Sequence, residues 1–361
     1  MIEERKKCIQ DHSLEEITAI VLERGFPKFR AQQIFELSLS YRDWAESSNI
    51  PKSLSEAFSD YVIVPAKIIS KVNGNKGVTK YLFLLTDNSI VEGVYLPNNY
   101  GNTVCVSSQV GCARGCEFCA SGINGLIRDL SPGEILGQVL AINREKNGTK
   151  NNRAISNVVL MGSGEPLDNY VNVIRFIRLI TSENGLNISP RNITLSTCGI
   201  PDKIYKLAKE EIPLTLTISL HASSDIDRQK IMPIAKVYSI KDVVKAADFY
   251  YSNTGRRVSY EYALTELSSK NESIDDLVKL LKGKQVHINL IRLNPVRGKS
   301  ILGSEDKRAE EIKKILGDNG ISATIRRSLG SDIDGACGQL RNHFLADGKK
   351  IKDFSEYSVI G

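Results

Sequence analysis

The sequence predicts an α/β protein whose parallel sheet curls into a partial or full barrel. Three observations carry this. From about residue 103 onward, β-like runs alternate with helical stretches, and repeated βα units stack as a parallel sheet with helices outside. Six such runs are present, at 103–107, 156–161, 192–196, 214–219, 257–264 and 286–291. The G-x-G-x-x-G turn that opens a flat dinucleotide-binding sheet is missing.

Taken in order, Ser13 and Glu16 make a capping box. Leu14, Ile17, Ile20 and Val21 follow at helical spacing up to Gly25, so 13–24 reads as a helix. A second helix draws its apolar face from Phe26, Ile34, Leu37 and Tyr41, and the segment from Pro51 to Tyr61 offers a third. Together these give an N-terminal helical unit over 1–66. The pattern then changes to short β-rich runs at 81–85 and 89–96, broken by Asn73-Gly74 and Asp87-Asn88 turns, which predicts a β-hairpin linker over 67–101. The α/β unit occupies 102–345 and leaves a tail at 346–361. Inside it, Ser131-Pro132-Gly133-Glu134 opens a helix with a cap and a proline at the first helical position, continued by Ile135, Val139 and Ile142.

At 361 residues the chain is long enough for two or three units. Apolar content of 41% and charged content of 25% fit a soluble globular protein, not a disordered chain or a membrane class. The longest apolar runs are strand-sized, far short of the ~20 residues of a spanning helix. Acidic Glu3 and Glu4 stand where a secretory signal would be basic and then apolar, so a cytoplasmic location is expected. The net charge of +6, from 48 basic and 42 acidic residues, permits a polyanionic partner without demanding one.

The cysteines carry the chemistry. There are seven, an odd number, and four of them lie between Cys105 and Cys119, which is unlike a secreted disulfide framework and more like a metal or redox site. Cys112, Cys116 and Cys119 are spaced C-x3-C-x2-C on a glycine-containing loop just after a strand. A [4Fe-4S] cluster takes one thiolate per iron, so three leave one iron open to another ligand. S-adenosylmethionine (SAM) can chelate that iron, and an electron from the cluster then cleaves its sulfonium to a 5'-deoxyadenosyl radical. The competing reading is a structural zinc site that recruits Cys105 or a histidine as fourth ligand.

Four later segments sit where strands end and could hold SAM. Met161-Gly162-Ser163-Gly164-Glu165-Pro166 permits close backbone approach to an amino group. Leu195-Ser196-Thr197-Cys198-Gly199 and Ile218-Ser219-Leu220-His221-Ala222 offer groups suited to ribose and carboxylate, or merely cap helices. The Asn294 amide, before Pro295, could read an adenine edge or belong to a plain turn. Cys337, in Gly335-Ala336-Cys337-Gly338-Gln339, lies on a small-residue loop that suits an accessible thiol, and Cys105 could face it. With an unperturbed pKa near 8.5, that thiol could take a methyl group as a nucleophile; a buried thiol is the alternative.

Phe29-Arg30-Ala31-Gln32-Gln33-Ile34-Phe35, the run from Cys105 to Cys112, the cluster loop, Gly164-Glu165-Pro166, Ser219-Leu220-His221-Ala222, Met232-Pro233-Ile234 and Ala336-Cys337-Gly338-Gln339-Leu340 together resemble the RlmN/Cfr family of radical SAM RNA methyltransferases. The resemblance runs nearly end to end and is closest to the dual-specificity type. It implies a radical-SAM partial (β/α)6 barrel with an N-terminal helical domain that engages RNA. It implies methylation of adenine C2 in 23S rRNA at the peptidyl-transferase centre, and in tRNA at the adenosine 3' of the anticodon. A sister group methylates C8.

The same resemblance assigns roles. Cys337 would be methylated by a first SAM, and a radical from a second SAM would take hydrogen from that S-methyl group. The carbon radical adds to C2, Glu92 accepts the proton that must leave, and Cys105 attacks the sulfur of Cys337. A transient disulfide then releases the product. SAM contacts fall at Gly164, Glu165, Ser196, Ser219, Leu220, His221 and Asn294. The implied partners are 23S rRNA, tRNA and an electron donor such as flavodoxin or ferredoxin, around a monomer. Arg292 stands where C2 enzymes commonly carry proline and is more like the C8 group, whereas Gln109-Val110-Gly111-Cys112 and Thr324-Ile325-Arg326-Arg327 look like the C2 type. The rival from another class is a zinc-stabilised RNA-binding protein that uses Arg256, Arg257, Arg326 and Arg327 for phosphates.

Overall fold

The computed structural model describes residues 7–292, 306–326, 340, 341, 344 and 352–359. Asn294, Arg327 and Cys337 lie outside the described residues.

The short strand β1 (Lys7–Cys8) precedes helices α1 (Leu14–Glu23), α2 (Phe29–Leu39) and α3 (Lys52–Ala57), and pairs in parallel with β2 (Tyr61–Val62). The capping box starts α1 as the sequence predicts: Ser13 N donates to Glu16 Oε2 at 2.7 Å and Glu16 N to Ser13 Oγ at 3.3 Å. Tyr41 does not lie on the face of α2. It sits past the helix end with φ of 55°, fully buried, where its hydroxyl donates to Ala66 O and accepts from Ala66 N.

That hydroxyl fastens the helical unit to the first long strand. Asp11 adds a second fastening, accepting from Gly133 N at 2.7 Å at the start of the helix that follows the cysteine loop. Buried residues of all three helices, including Ile17, Ile34 and Leu54, belong to the same apolar core as the sheet.

Strands β3 (Ala66–Asn73), β4 (Thr79–Leu85) and β5 (Ile90–Leu96) form an antiparallel meander. It is joined edge-on to the main sheet, because β5 pairs antiparallel with β6 (Thr103–Cys105) and sets Val94 opposite Cys105. A separate ribbon of β7 (Gln109–Gly111) and β8 (Leu126–Asp129) brackets the cysteine loop, and α4 (Pro132–Glu145) follows it.

Then come β9 (Asn157–Leu160), α5 (Tyr170–Thr181), β10 (Ile193–Thr197), α6 (Pro201–Ala208), β11 (Thr215–Ser219), α7 (Asp225–Ile231) and α8 (Ile240–Thr254). The series ends with β12 (Val258–Leu264), α9 (Asn271–Leu281), β13 (Val286–Arg292), α10 (Asp306–Asp318) and β14 (Ser322–Ile325).

The sheet order is β14-β13-β12-β11-β10-β9-β6-β5-β4-β3, parallel from β6 to β14. The six anticipated strands are β6 and β9 to β13; β14 is a seventh. Consecutive order without reversal is the connectivity of a barrel and not of a doubly wound sheet. Arg326, leaving β14, brings Nη2 to 3.7 Å from Met161 Sδ at the end of β9, although four strands lie between them. Only a sheet curled as a partial barrel allows that contact. This is the partial α/β barrel expected from the sequence.

Side chains alternate across the parallel strands. Val158, Leu160, Ile193, Leu195, Leu216, Ile218, Tyr260, Ile288 and Leu290 are buried in the core. The opposite face carries Asn157, Thr194, Ser196, Thr215, Ser219, Ser259, His287 and Asn289, all half-buried. A parallel sheet covered on both faces would read as unbroken apolar runs. Here the concave side is polar and partly open, which is the composition of a ligand cavity.

Candidate active site at the carboxyl ends of the strands

Gly111 has φ of 80°, and a Cβ there would collide with the Gly125 carbonyl, so glycine lets the two arms of the ribbon meet closely. The loop between them holds Cys112, Cys116 and Cys119, all part-buried. Cys112 N donates to Gly125 O at 3.0 Å and Cys119 N to Cys116 O at 3.2 Å, which folds the loop over itself. Arg114 anchors it outward by a two-pronged grip on Asp168, with Nε 2.7 Å from Oδ2.

Burial pushes the Cys112 thiol up to about 11 and that of Cys116 up to about 12, and the charge of Cys119 adds to both. Thiols so placed ionise readily only with a cation among them. Among the described residues, no three Cys, His, Asp or Glu side chains are placed to share a single ion. Three thiols on one loop, near enough to act on one another, are a donor set that suits a [4Fe-4S] cluster, in which each sulfur takes a different iron.

The turn after β9 is fastened to the strand that enters the loop. Ser108 N and Gln109 N both donate to Ser163 O, at 2.9 and 3.1 Å, and Ser163 N donates to Ser107 Oγ at 2.9 Å. Gly164 has φ of 106°, and a Cβ there would lie 2.6 Å from Gln109 Cβ.

Glu165 is buried. Its N donates to Gln109 Oε1 at 2.8 Å, while its carboxylate accepts from Leu167 N at 3.0 Å and from Cys198 N at 2.7 Å, across to the turn after β10. Burial raises its carboxyl above the usual range against those donors.

Ser196 and Ser219 lie half-buried near the ends of β10 and β11. Leu220 N and His221 N donate to Glu261 O at 3.0 and 3.1 Å. His221 is buried with φ of 59°, and its Nδ1 accepts from Ala263 N at 3.1 Å, which leaves Nε2 to carry the proton. Burial, then the charge of Arg228, lowers its pKa to about 3, so the ring is neutral at physiological pH. It meets the cysteine loop edge-on, its ring centroid 4.4 Å from that of Phe118. Gly164, Glu165, Ser196, Ser219, Leu220 and His221 therefore gather beside the cysteines; Asn294 is the member of that set outside the described residues.

The second group forms one wall. Cys105 ends β6, opposite Val94 on β5 and Val159 on β9. Glu92 stands two residues along β5 on the same face as Val94 and is buried. Its Oε2 is 3.3 Å from Lys80 Nζ, with side-chain exposures of 4% and 1%. Its Oε1 accepts from the backbone N–H of Arg341.

The C-terminal segment thus returns to this wall. Lys67 Nζ donates to the carbonyls of Phe354 and Tyr357, at 3.0 and 2.8 Å, and Leu340, Phe344, Phe354 and Tyr357 pack on Leu82, Leu84 and Ile90. Cys337 precedes Arg341 in that segment but lies outside the described residues.

Sequence reasoning missed Lys80, Arg228 and Glu261. Glu261 is buried and holds Asn289 Nδ2 at 3.0 Å and Arg326 Nη1 at 3.3 Å across the concave face. Its one available signal was a charged residue inside a largely apolar strand. Arg256 and Arg257 enter β12 at the opposite end of the sheet from the Arg326 end of β14, so they do not form one phosphate-binding patch with it.

The family model of the Radical SAM superfamily matches residues 106–281. A Clostridium tetani protein named "Probable dual-specificity RNA methyltransferase RlmN" is 44% identical over 344 residues, 94% of this chain and 97% of its own length. One of the same name from Lachnoclostridium phytofermentans is 45% identical over 337 residues, 92% and 93% of the two chains. The crystal structure of a radical SAM methyltransferase from Sphaerobacter thermophilus superimposes with a TM-score of 0.88 at 36% identity, covering 92% of this chain and 98% of that one.

Proposed function

Since the chain belongs to the RlmN family of radical SAM RNA methyltransferases, we propose that it methylates C2 of adenosine in 23S rRNA at the peptidyl-transferase centre and of the adenosine 3' of the anticodon in tRNA. C2 lies between two ring nitrogens and is electron-poor, so it cannot attack a sulfonium methyl directly. A [4Fe-4S] cluster with SAM supplies the radical that such a carbon requires. Cys112, Cys116 and Cys119 would hold the cluster, and Gly164, Glu165, Ser196, Ser219, Leu220, His221 and Asn294 would bind SAM.

The observation that carries the reading is the contact of Glu92 with Arg341, which brings the C-terminal segment back to the wall that holds Cys105. In this scheme the radical derived from SAM would take a hydrogen atom from the S-methyl group of Cys337, the remaining methylene would bond to C2, the Glu92 carboxylate would take the proton from C2, and the odd electron of that adduct would pass back to the cluster. The Cys105 thiolate then attacks Cys337 Sγ, and the disulfide so formed releases methyladenine and is reduced externally. The N-terminal helices, residues 1–66, would hold the RNA. The enzyme would act in the cytoplasm as a monomer, with flavodoxin or ferredoxin as reductant; among the described residues no helix is long and apolar enough to cross a membrane.

The test is mass spectrometry of nucleosides from unmodified 23S rRNA and tRNA, after anaerobic reaction with reconstituted protein, SAM and reductant. The expected product is 2-methyladenosine in both. Finding 8-methyladenosine instead would overturn the C2 assignment and direct attention to Arg292. No methyladenosine from protein with an intact cluster would remove the substrate assignment.

A further inference from the structure

We propose that Arg228 supplies the counter-charge of the cluster pocket: a buried positioning residue that fixes two substrate-facing turns and favours the electron-rich state of the cluster. This rests on the cluster ligands assigned above.

Arginine is almost never fully buried unless it is paired, yet Arg228, on α7, is 0% exposed. Its partners are carbonyls. Nε donates to Leu220 O at 3.1 Å, and Nη2 donates to Cys198 O at 2.5 Å and to Ser219 O at 3.1 Å. These are the chain ends of β10 and β11, where Ser196, Ser219 and His221 stand. Nη1 is buried and has no hydrogen-bond partner among the described residues. The helix is also joined to the cysteine loop, since Glu117 N, between Cys116 and Cys119, donates to Ile231 O at 2.9 Å.

A guanidinium does not lose its proton in a protein, so burial cannot be relieved by neutralisation. Carbonyl dipoles compensate it in part. Arg228 and Cys116, a cluster ligand, are near enough for the guanidinium to favour the thiolate and the thiolate to favour the guanidinium. A cluster held by three thiolates adds negative charge on that side, and each electron it accepts adds one more. A fixed buried cation stabilises the reduced form more than the oxidised one, and local charge and hydrogen bonding set cluster potentials. The bland reading is a mechanical one, in which Arg228 only laces two turns together.

Charge and lacing separate in two substitutions. Arg228→Gln keeps amide donors and loses the charge, whereas Arg228→Lys keeps the charge and loses the fork. The experiment is an anaerobic redox titration of the full-length reconstituted protein, followed by the electron paramagnetic resonance signal of the reduced cluster, with iron content and far-ultraviolet circular dichroism measured alongside. Arg228→Gln is expected to shift the one-electron equilibrium at least tenfold toward the oxidised cluster, about 59 mV more negative, while Arg228→Lys stays close to wild type.

A folded Arg228→Gln protein that loses iron, beside an Arg228→Lys protein that keeps it, also supports a role for charge. A wild-type potential in Arg228→Gln, equal shifts in both variants, or loss of iron from both would overturn it. A wild-type protein with no cluster signal would instead remove the cluster assignment itself.

Discussion

The Lys80–Glu92 pair allows the stabilising and chemical roles of one carboxylate to be separated. Both side chains are almost completely buried, at 1% and 4%, and their charged atoms are 3.3 Å apart, so solvent screening does little to weaken the interaction. Breaking a buried pair by removing one partner costs about 3–5 kcal/mol, because the other charge is left without compensation. Glu92→Gln keeps the shape and an acceptor for Arg341 N and removes the negative charge 3.3 Å from the Lys80 ammonium; a loss of about 3 kcal/mol is expected. Lys80→Met removes the counter-charge of the carboxylate at a similar cost. The double variant removes both charges and should lose only about 1 kcal/mol, against about 6 kcal/mol for additive losses, a coupling of about 5 kcal/mol.

The assay is urea unfolding of anaerobic protein, in which a loss of this size moves the midpoint by roughly 1 M or more. RNA from the same preparations is then scored for methyladenosine and for covalent protein–RNA adduct. The double variant is expected to be stable, yet to accumulate adduct, because no base takes the proton. Strictly additive single losses would refute the energetic argument. A stable double variant that methylates at the wild-type rate would refute proton transfer by Glu92.

Three further outcomes follow from other residues. Gly164→Ala must hold a positive φ of 106° and displace Gln109, which costs about 2–5 kcal/mol in backbone strain and overlap; calorimetry should show a lower Tm and equilibrium dialysis weaker SAM binding. The buried His221 has its pKa lowered to about 3, below the unfolded value, so the unfolded chain gains the proton first and stability falls as pH drops below about 6.5 at up to about 1.4 kcal/mol per unit. His221→Asn, compatible with the left-handed backbone, should lack that part of the acid slope, making its stability relative to wild type about 2 kcal/mol more favourable at pH 5 than at pH 6.5. Asp11→Ala removes the acceptor for Gly133 N and should cost about 1 kcal/mol, read as faster proteolytic cleavage between the helical unit and β3.

Much of the fold was legible because its signals are local. The capping box at Ser13 and the cap at Ser131 form as the sequence predicts, and six of the seven parallel strands announce themselves by β-branched runs. The seventh, Ser322–Ile325, is four residues long, too short for a periodicity to emerge. Tyr41 read as a helix-face residue because helical spacing places it there; a turn of the backbone and a hydroxyl pinned between two groups of Ala66 put it elsewhere. The cysteine loop and the strand-end turns were visible as sequence motifs. Lys80 and Arg228 were not, since nothing local distinguishes a buried ion pair or a guanidinium under two turns from a solvated surface charge. Their roles arise from β4 lying against β5 and from α7 lying beneath β10 and β11.

The landing of the C-terminal segment on β3 to β5 also bears on how the protein matures. Lys67 is joined to Phe354 and Tyr357, and Glu92 to Arg341, across separations of 287, 290 and 249 residues. Contacts that distant are among the slowest to form, because a long loop must close before they stabilise anything. The wall of Glu92 and Cys105 is therefore finished late, after the barrel strands that precede the segment have been synthesised. A nascent or truncated chain folds its cysteine loop before the C-terminal segment closes on β3 to β5.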